Sequence, residues 1–170
     1  MTGAALSQQP QEAQQLQGRA HSDQQPQEQM SGGRPESRQV RPEQYSPLAL
    51  AYLGDAVLEL AVREFYVRRA NKQAQKYHRE VTAVVSAISQ SAFMDSVEDG
   101  LSEEERDIYH RGRNASVHSK AKHATMAEYK KATGLEALIG YLYLKGEKER
   151  MNLLIRQLLE AHADSAPELH

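Results

Sequence analysis

Cysteine and tryptophan are both absent from the chain. The first absence excludes a disulfide framework, a thiolate metal cluster and a cysteine nucleophile, and it fits a reducing, cytoplasmic setting. Long hydrophobic runs are missing too: no stretch of 18 apolar residues occurs, and the opening MTGAALSQQPQEAQQ lacks the basic and apolar regions of a secretory signal. Neither a membrane span nor export is expected. Nor is there a surplus of positive charge. Twenty-one Lys and Arg stand against 23 Asp and Glu, a net charge of -2, so any surface that grips nucleic acid has to be local.

What is present divides sharply near Arg41. Residues 1–40 hold eleven glutamines with Pro and Gly and hardly a large apolar side chain. Such a segment cannot bury enough surface to offset its ordering entropy, and a disordered tail is expected there. From Arg41 the text becomes YSPLALAYLGDAVLELAVREFYVRRA, and no proline follows Pro47 until Pro167. Alternating strand patterns are lacking. The pattern predicts an all-α domain over 41–163 with about five main helices, roughly 47–70, 74–98, 103–112, 124–145 and 147–162, and a short tail over 164–170. Ser46–Pro47 reads as a helix start, Ser102 with Glu105 as a capping box, and Gly100 and Gly146 as helix punctuation.

Two helices carry charges where apolar side chains prevail. In PLALAYLGDAVLELAV (47–62) the only ionisable carboxylates are Asp55 and Glu59, one helical turn apart; in ATGLEALIGYLYL (132–144) Glu136 is the only charge. A carboxylate buried without a partner costs several kcal/mol, so each needs a cation, a metal ion or a set of donors. Salt bridges to Arg63, Arg68 or Arg69 are one solution. A hard cation with oxygen ligands is the other, and Mg²⁺, which keeps several waters and takes one or two carboxylates, suits a sparse acidic pair used in phosphodiester hydrolysis. Glycines near both acids, Gly54 and Gly134, would let the two backbones approach. Tyr52, three residues before Asp55, is placed to face the same site, with Glu59 as an accessory acid.

Charge reverses locally between Arg106 and Lys131, which holds seven Lys and Arg, three His and only two acids. Arg111, Arg113, Lys120, Lys122 and Lys130 are candidate phosphate contacts, Arg as rigid forks and Lys as point charges; the alternative is an ordinary solvated loop. None of the seven histidines has a metal-ligand spacing.

At this level of detail the chain resembles the ribonuclease III nuclease domain, and within that family the Mini-ribonuclease III subclass, which consists of that domain alone. The residues that carry the resemblance are LAYLGDAVLEL (50–60), Val85-Ser86-Ala87 with Gln90, the EEE and RGRNA segments across 103–115, and the pattern from Tyr129 to Leu142, including TGLEALIGYL. It spans about residues 45–162 in order. By position, Asp55 and Glu136 match the family's metal-binding acids, whereas two further acids of full-length ribonuclease III are here Ala51 and Thr133. Ser116 departs from the Lys that relatives often place after RGRNA.

The resemblance implies an all-α homodimer in which two active sites face one RNA valley, and a Mg²⁺-dependent cleavage of double-stranded RNA, with Mn²⁺ able to substitute, that leaves 5′-phosphate and 3′-hydroxyl ends. It further implies maturation of 23S rRNA ends in precursor large ribosomal subunits, helped by a large-subunit ribosomal protein, with no membrane partner and no double-stranded-RNA-binding domain after the nuclease domain. The competing readings are a non-catalytic RNA- or ribosome-binding protein on the same fold, for which Ala51 and Thr133 argue, and a helical interaction module whose acids pair with arginines.

Overall fold

The computed structural model describes residues 40–115 and 124–165. The chain divides after Arg38, and all described residues belong to the unit Gln39–His170. Residues 1–39 of the expected glutamine-rich tail and residues 166–170 lie outside the described residues, and α6 takes in Asp164 and Ser165, which were expected in the short C-terminal tail. The described residues form six α-helices and two short 3-10 turns: α1 (Pro47–Arg69), α2 (Ala74–Val85), α3 (Ala87–Val97), α4 (Glu103–Asn114), α5 (Met126–Lys145) and α6 (Lys148–Ser165), with the turns at Pro42–Gln44 and Glu98–Gly100. None of these helices is long and apolar enough to cross a membrane.

The helix starts follow from their caps. Ser46 accepts from the Ala49 N–H ahead of α1, and capping boxes join Ser102 to Glu105 at α4 and Thr125 to Glu128 at α5. Gly146 ends α5 in the left-handed region at φ 83, where the Gly146 N–H reaches the Tyr143 carbonyl and the Glu147 N–H the Leu142 carbonyl. The expected single helix over 74–98 is two. Ser86 takes extended backbone (φ -64, ψ 148), accepts from the Ser89 N–H as the N-cap of α3, and donates its hydroxyl to the Ala83 carbonyl. One side chain thereby satisfies groups that the break leaves open on both sides, which is why the chain can bend without Gly or Pro.

Helix α5 is the centre of the fold. Between Ala132 and Leu142 every residue except Glu136 is buried, against Leu50, Leu58 and Val62 of α1, Ile108 and Tyr109 of α4, Phe93 and Met94 of α3, and Leu154 and Leu158 of α6. The most extensive helix pair is α1 with α5. It rests on Gly54 and Gly140: a Cβ at Gly54 would overlap the Glu136 carbonyl oxygen, and one at Gly140 would overlap that of Leu50. The close approach expected of Gly134 occurs elsewhere, against the Tyr109 ring of α4. Helix α1 buries only the stripe Leu50, Ala51, Gly54, Leu58 and Val62 within the chain. Tyr52 (85% exposed), Leu60 (66%) and Val67 (57%) are open to solvent on the outer side of α1, alongside the Glu59–Arg63 ion pair.

Candidate active site

The glycine-mediated contact sets the site. Because the backbones of α1 and α5 touch at Gly54 and Gly140, side chains beside the seam on each helix face a common space. Steps of three and four residues put Tyr129, Thr133 and Glu136 on one face of α5, and Leu48, Ala51, Tyr52 and Asp55 along the adjoining edge of α1. Those seven residues line one pocket of about 350 Å³. Asp55 and Glu136 are therefore brought together, with Tyr52 beside them as expected. Ala51 and Thr133 line the same pocket, one helical turn before each acid. Thr133 turns its hydroxyl back to the Tyr129 carbonyl at 3.0 Å.

The two acids differ in setting. Asp55 stands at the exposed mouth, and its carboxyl is nonetheless held above the usual range, first by partial burial and then by the Glu59 carboxylate a turn along α1. Glu136 lies deeper. Burial, and after it the charge of Asp55, push its carboxyl up to about 7, against a hydrogen bond from Gln90 that favours the ionised form. Glu59 does not line the pocket: its carboxylate pairs with Arg63 at 2.5 Å on the surface of α1. Gln90 of α3 carried no assignment from sequence, yet it reaches Glu136 Oε1 with Nε2 at 3.2 Å. Its signal was slight: one amide among the small and apolar residues of AISQSAFM, part of the family resemblance but given no role.

Two like charges disfavoured by burial and by one another form an unsatisfied electrostatic site. A divalent cation fits this donor set, because it replaces the repulsion between the carboxylates with attraction to both, and hard oxygen donors with room for waters suit Mg²⁺. Among the described residues no cluster of three or more His, Asp or Glu gathers that could hold a metal. Asp55 and Glu136 are the two carboxylates that line the pocket.

The basic candidates separate. Arg111 spends its fork on the fold, donating from Nη1 to the Glu43 carbonyl at 3.2 Å and from Nη2 to the Tyr45 carbonyl at 3.3 Å, which ties the segment before α1 to α4. Arg113 lies over the Tyr109 ring and 3.8 Å from the Glu98 carboxylate. Lys131 pairs with Asp95, and Arg106 donates to the Asp99 and Leu101 carbonyls. Lys130 is exposed and makes no ion pair among the described residues. It follows Tyr129, so it projects from the pocket end of α5. Lys120 and Lys122, with Ser116, lie outside the described residues.

Comparison with known proteins places this geometry in a family. The ribonuclease III domain matches residues 48–147, which include both pocket helices. A Mini-ribonuclease 3 of Symbiobacterium thermophilum is 42% identical over 75% of this chain and 95% of its own length, and that of Enterococcus faecalis is 44% identical over 66% and 86%. Among solved structures, a crystal structure of a protein from Fusobacterium nucleatum superposes with a TM-score of 0.63 at 34% identity, covering 69% of this chain and 93% of that one.

Proposed function

The chain belongs to the ribonuclease III domain family and is an endoribonuclease of that type, and from this premise we propose that it cuts double-stranded RNA at the α1–α5 pocket in a reaction that requires Mg²⁺ or, in its place, Mn²⁺. The observation that carries the reading is the convergence of Asp55 and Glu136, one from each of two apolar helices, on a single pocket that no cationic side chain lines among the described residues. A divalent cation bound there supplies Lewis-acid polarisation of the phosphoryl oxygens and lowers the pKa of water. The chain's own part is to hold that charge and to seat the backbone. Asp55 at the mouth and Glu136 deeper down provide the carboxylates, and Ala51 and Thr133 widen the space between them where two further acids would otherwise crowd. Hydrolysis would break the bond to the 3′ oxygen and leave 5′-phosphate and 3′-hydroxyl ends.

RNA would be gripped beside the pocket by Lys130 and Arg113, extended by Lys120 and Lys122, while Arg111 acts mainly by fixing the end of α4 from which that segment departs. These are phosphate contacts and confer no base preference. The exposed Tyr52–Leu60–Val67 face supports a homodimer, which would give one duplex two cutting sites. The natural substrate in this reading is the 23S rRNA precursor within immature large subunits in the cytoplasm, presented with a ribosomal protein.

Incubating the purified chain with a blunt duplex RNA, with Mg²⁺ and with EDTA, tests the reaction. Metal-dependent cuts with 5′-phosphate ends are expected. Intact duplex in Mg²⁺, or equal cutting in EDTA, would contradict it. Precursor large subunits in place of the duplex test the substrate, since correct trimming of 23S ends is then expected.

A further inference from the structure

Glu136 receives its hydrogen bond from a residue that lines no part of the pocket. Gln90 is 1% exposed, sits in the first turn of α3, and donates from Nε2 both to Glu136 Oε1 at 3.2 Å and to the Val85 carbonyl at 2.9 Å. That second bond exists because α2 stops at Val85: with Ser86 in extended backbone, the carbonyl is turned to the start of α3 and is free to accept. The two contacts fix which way the amide points. If it flipped, Oε1 would face the Val85 carbonyl, which has no proton to give, and would repel Glu136 whenever that carboxyl is ionised, as it must be to hold a cation. Oε1 instead remains buried without a partner among the described residues, a cost accepted to keep both N–H groups of Nε2 where they are.

We propose that Gln90 is a positioning residue for the metal-binding carboxylate: anchored on the break between α2 and α3, it holds Glu136 Oε1 and so presents Oε2 toward Asp55 and the cation. The proposal rests on the assignment of Asp55 and Glu136 as metal ligands. Partners of ligating carboxylates orient the ligand before the ion arrives, and their loss typically costs 10- to 100-fold in metal affinity or activity. The bent α2–α3 connection thereby acquires a role at the active site, although no atom of it needs to touch RNA.

Mn²⁺ binding to the full-length chain, read by electron paramagnetic resonance without RNA, tests this together with single-turnover cleavage across a Mg²⁺ titration. Gln90→Met keeps the shape and removes the donor. It should weaken Mn²⁺ binding about 10-fold, raise the Mg²⁺ needed for half-maximal cleavage by a similar factor, and leave duplex affinity unchanged. The isosteric Gln90→Glu, which sets a carboxylate against Glu136, should lose at least as much, and it decides the matter if the Met variant does not fold. In a Glu136→Gln background, Gln90→Met should add nothing. Wild-type Mn²⁺ affinity in both Gln90 variants, or an undiminished effect in the Glu136→Gln background, would overturn the positioning role while leaving the metal site standing. Wild-type Mn²⁺ affinity in Glu136→Gln and Asp55→Asn would overturn the metal site, and the role of Gln90 with it.

Discussion

Glu136 is the residue at which fold and function pull in opposite directions. A carboxyl raised from its usual 4.5 to about 7 is stabilised as the neutral acid in the folded protein. Its favourable contribution is therefore fully present below about pH 4.5 and is lost as pH rises toward 7. In EDTA, Glu136→Gln should be more stable than wild type at pH 8 by about 2 kcal/mol, after discounting for solvent at the pocket mouth, and no more stable at pH 4. Urea midpoints at the two pH values measure it. Mg²⁺ should erase the difference by stabilising only the wild type. The acid was legible in the sequence because a lone charge amid ATGLEALIGYLYL has to be compensated. Gln90 was not, since a neutral amide gives no sign of a partner 46 positions away. The same holds for Arg111, whose acceptors are backbone carbonyls of Glu43 and Tyr45 that any residues there would supply.

At the scale of helices, local chemistry fixed most of what could be read. Caps at Ser46, Ser102 and Gly146 and the apolar runs of α1 and α5 are legible in the sequence, and they recur in the structure. The Ser86 bend was not visible, because VVSAIS carries no breaker and no acidic N3 residue. Only the packing of α2 and α3 on separate parts of the core shows that the cap wins over continuing the helix. The α1–α5 seam depends on backbone contact, so Gly54→Ala should force the helices apart. A loss of about 1–3 kcal/mol or more in denaturant stability is expected, accompanied by loss of cleavage even in protein that remains folded. Gly100→Ala, with open space around the site of the new Cβ, should change neither by comparison. Equal tolerance of Ala at the two positions would mean that the seam is looser than its geometry indicates.

At the scale of the whole molecule, the outer side of α1 is left uncovered by the chain's own helices. Tyr52, Leu60 and Val67 fall within about 80° of helical arc at about 100° per residue, with Ala56 and the exposed Arg63 between them. Large apolar side chains exposed on one side of a helix are costly in water, and their burial is what a second copy would supply. A second copy meeting it about a two-fold axis would bury both faces at once and set two pockets on one assembly. Sedimentation at micromolar concentration should give twice 19.1 kDa for the wild type and 19.1 kDa for Leu60→Glu. A wild-type monomer at that concentration would contradict the dimer. RNA affinity should also fall with salt in proportion to the phosphates contacted, and Lys130→Ala should flatten that slope by roughly one unit on a log–log plot.

The claim on which these points converge is that Asp55 and Glu136 together form the cutting centre. Its most direct test is single-turnover cleavage of a duplex RNA at saturating Mg²⁺ by Asp55→Asn and Glu136→Gln, with duplex affinity measured on the same preparations. Each variant removes one charge and almost no volume, so folding and RNA binding should persist while the rate falls about 1,000-fold or more. Cleavage within a few-fold of wild type by either variant, in protein shown to be folded and RNA-bound, would place the chemistry elsewhere.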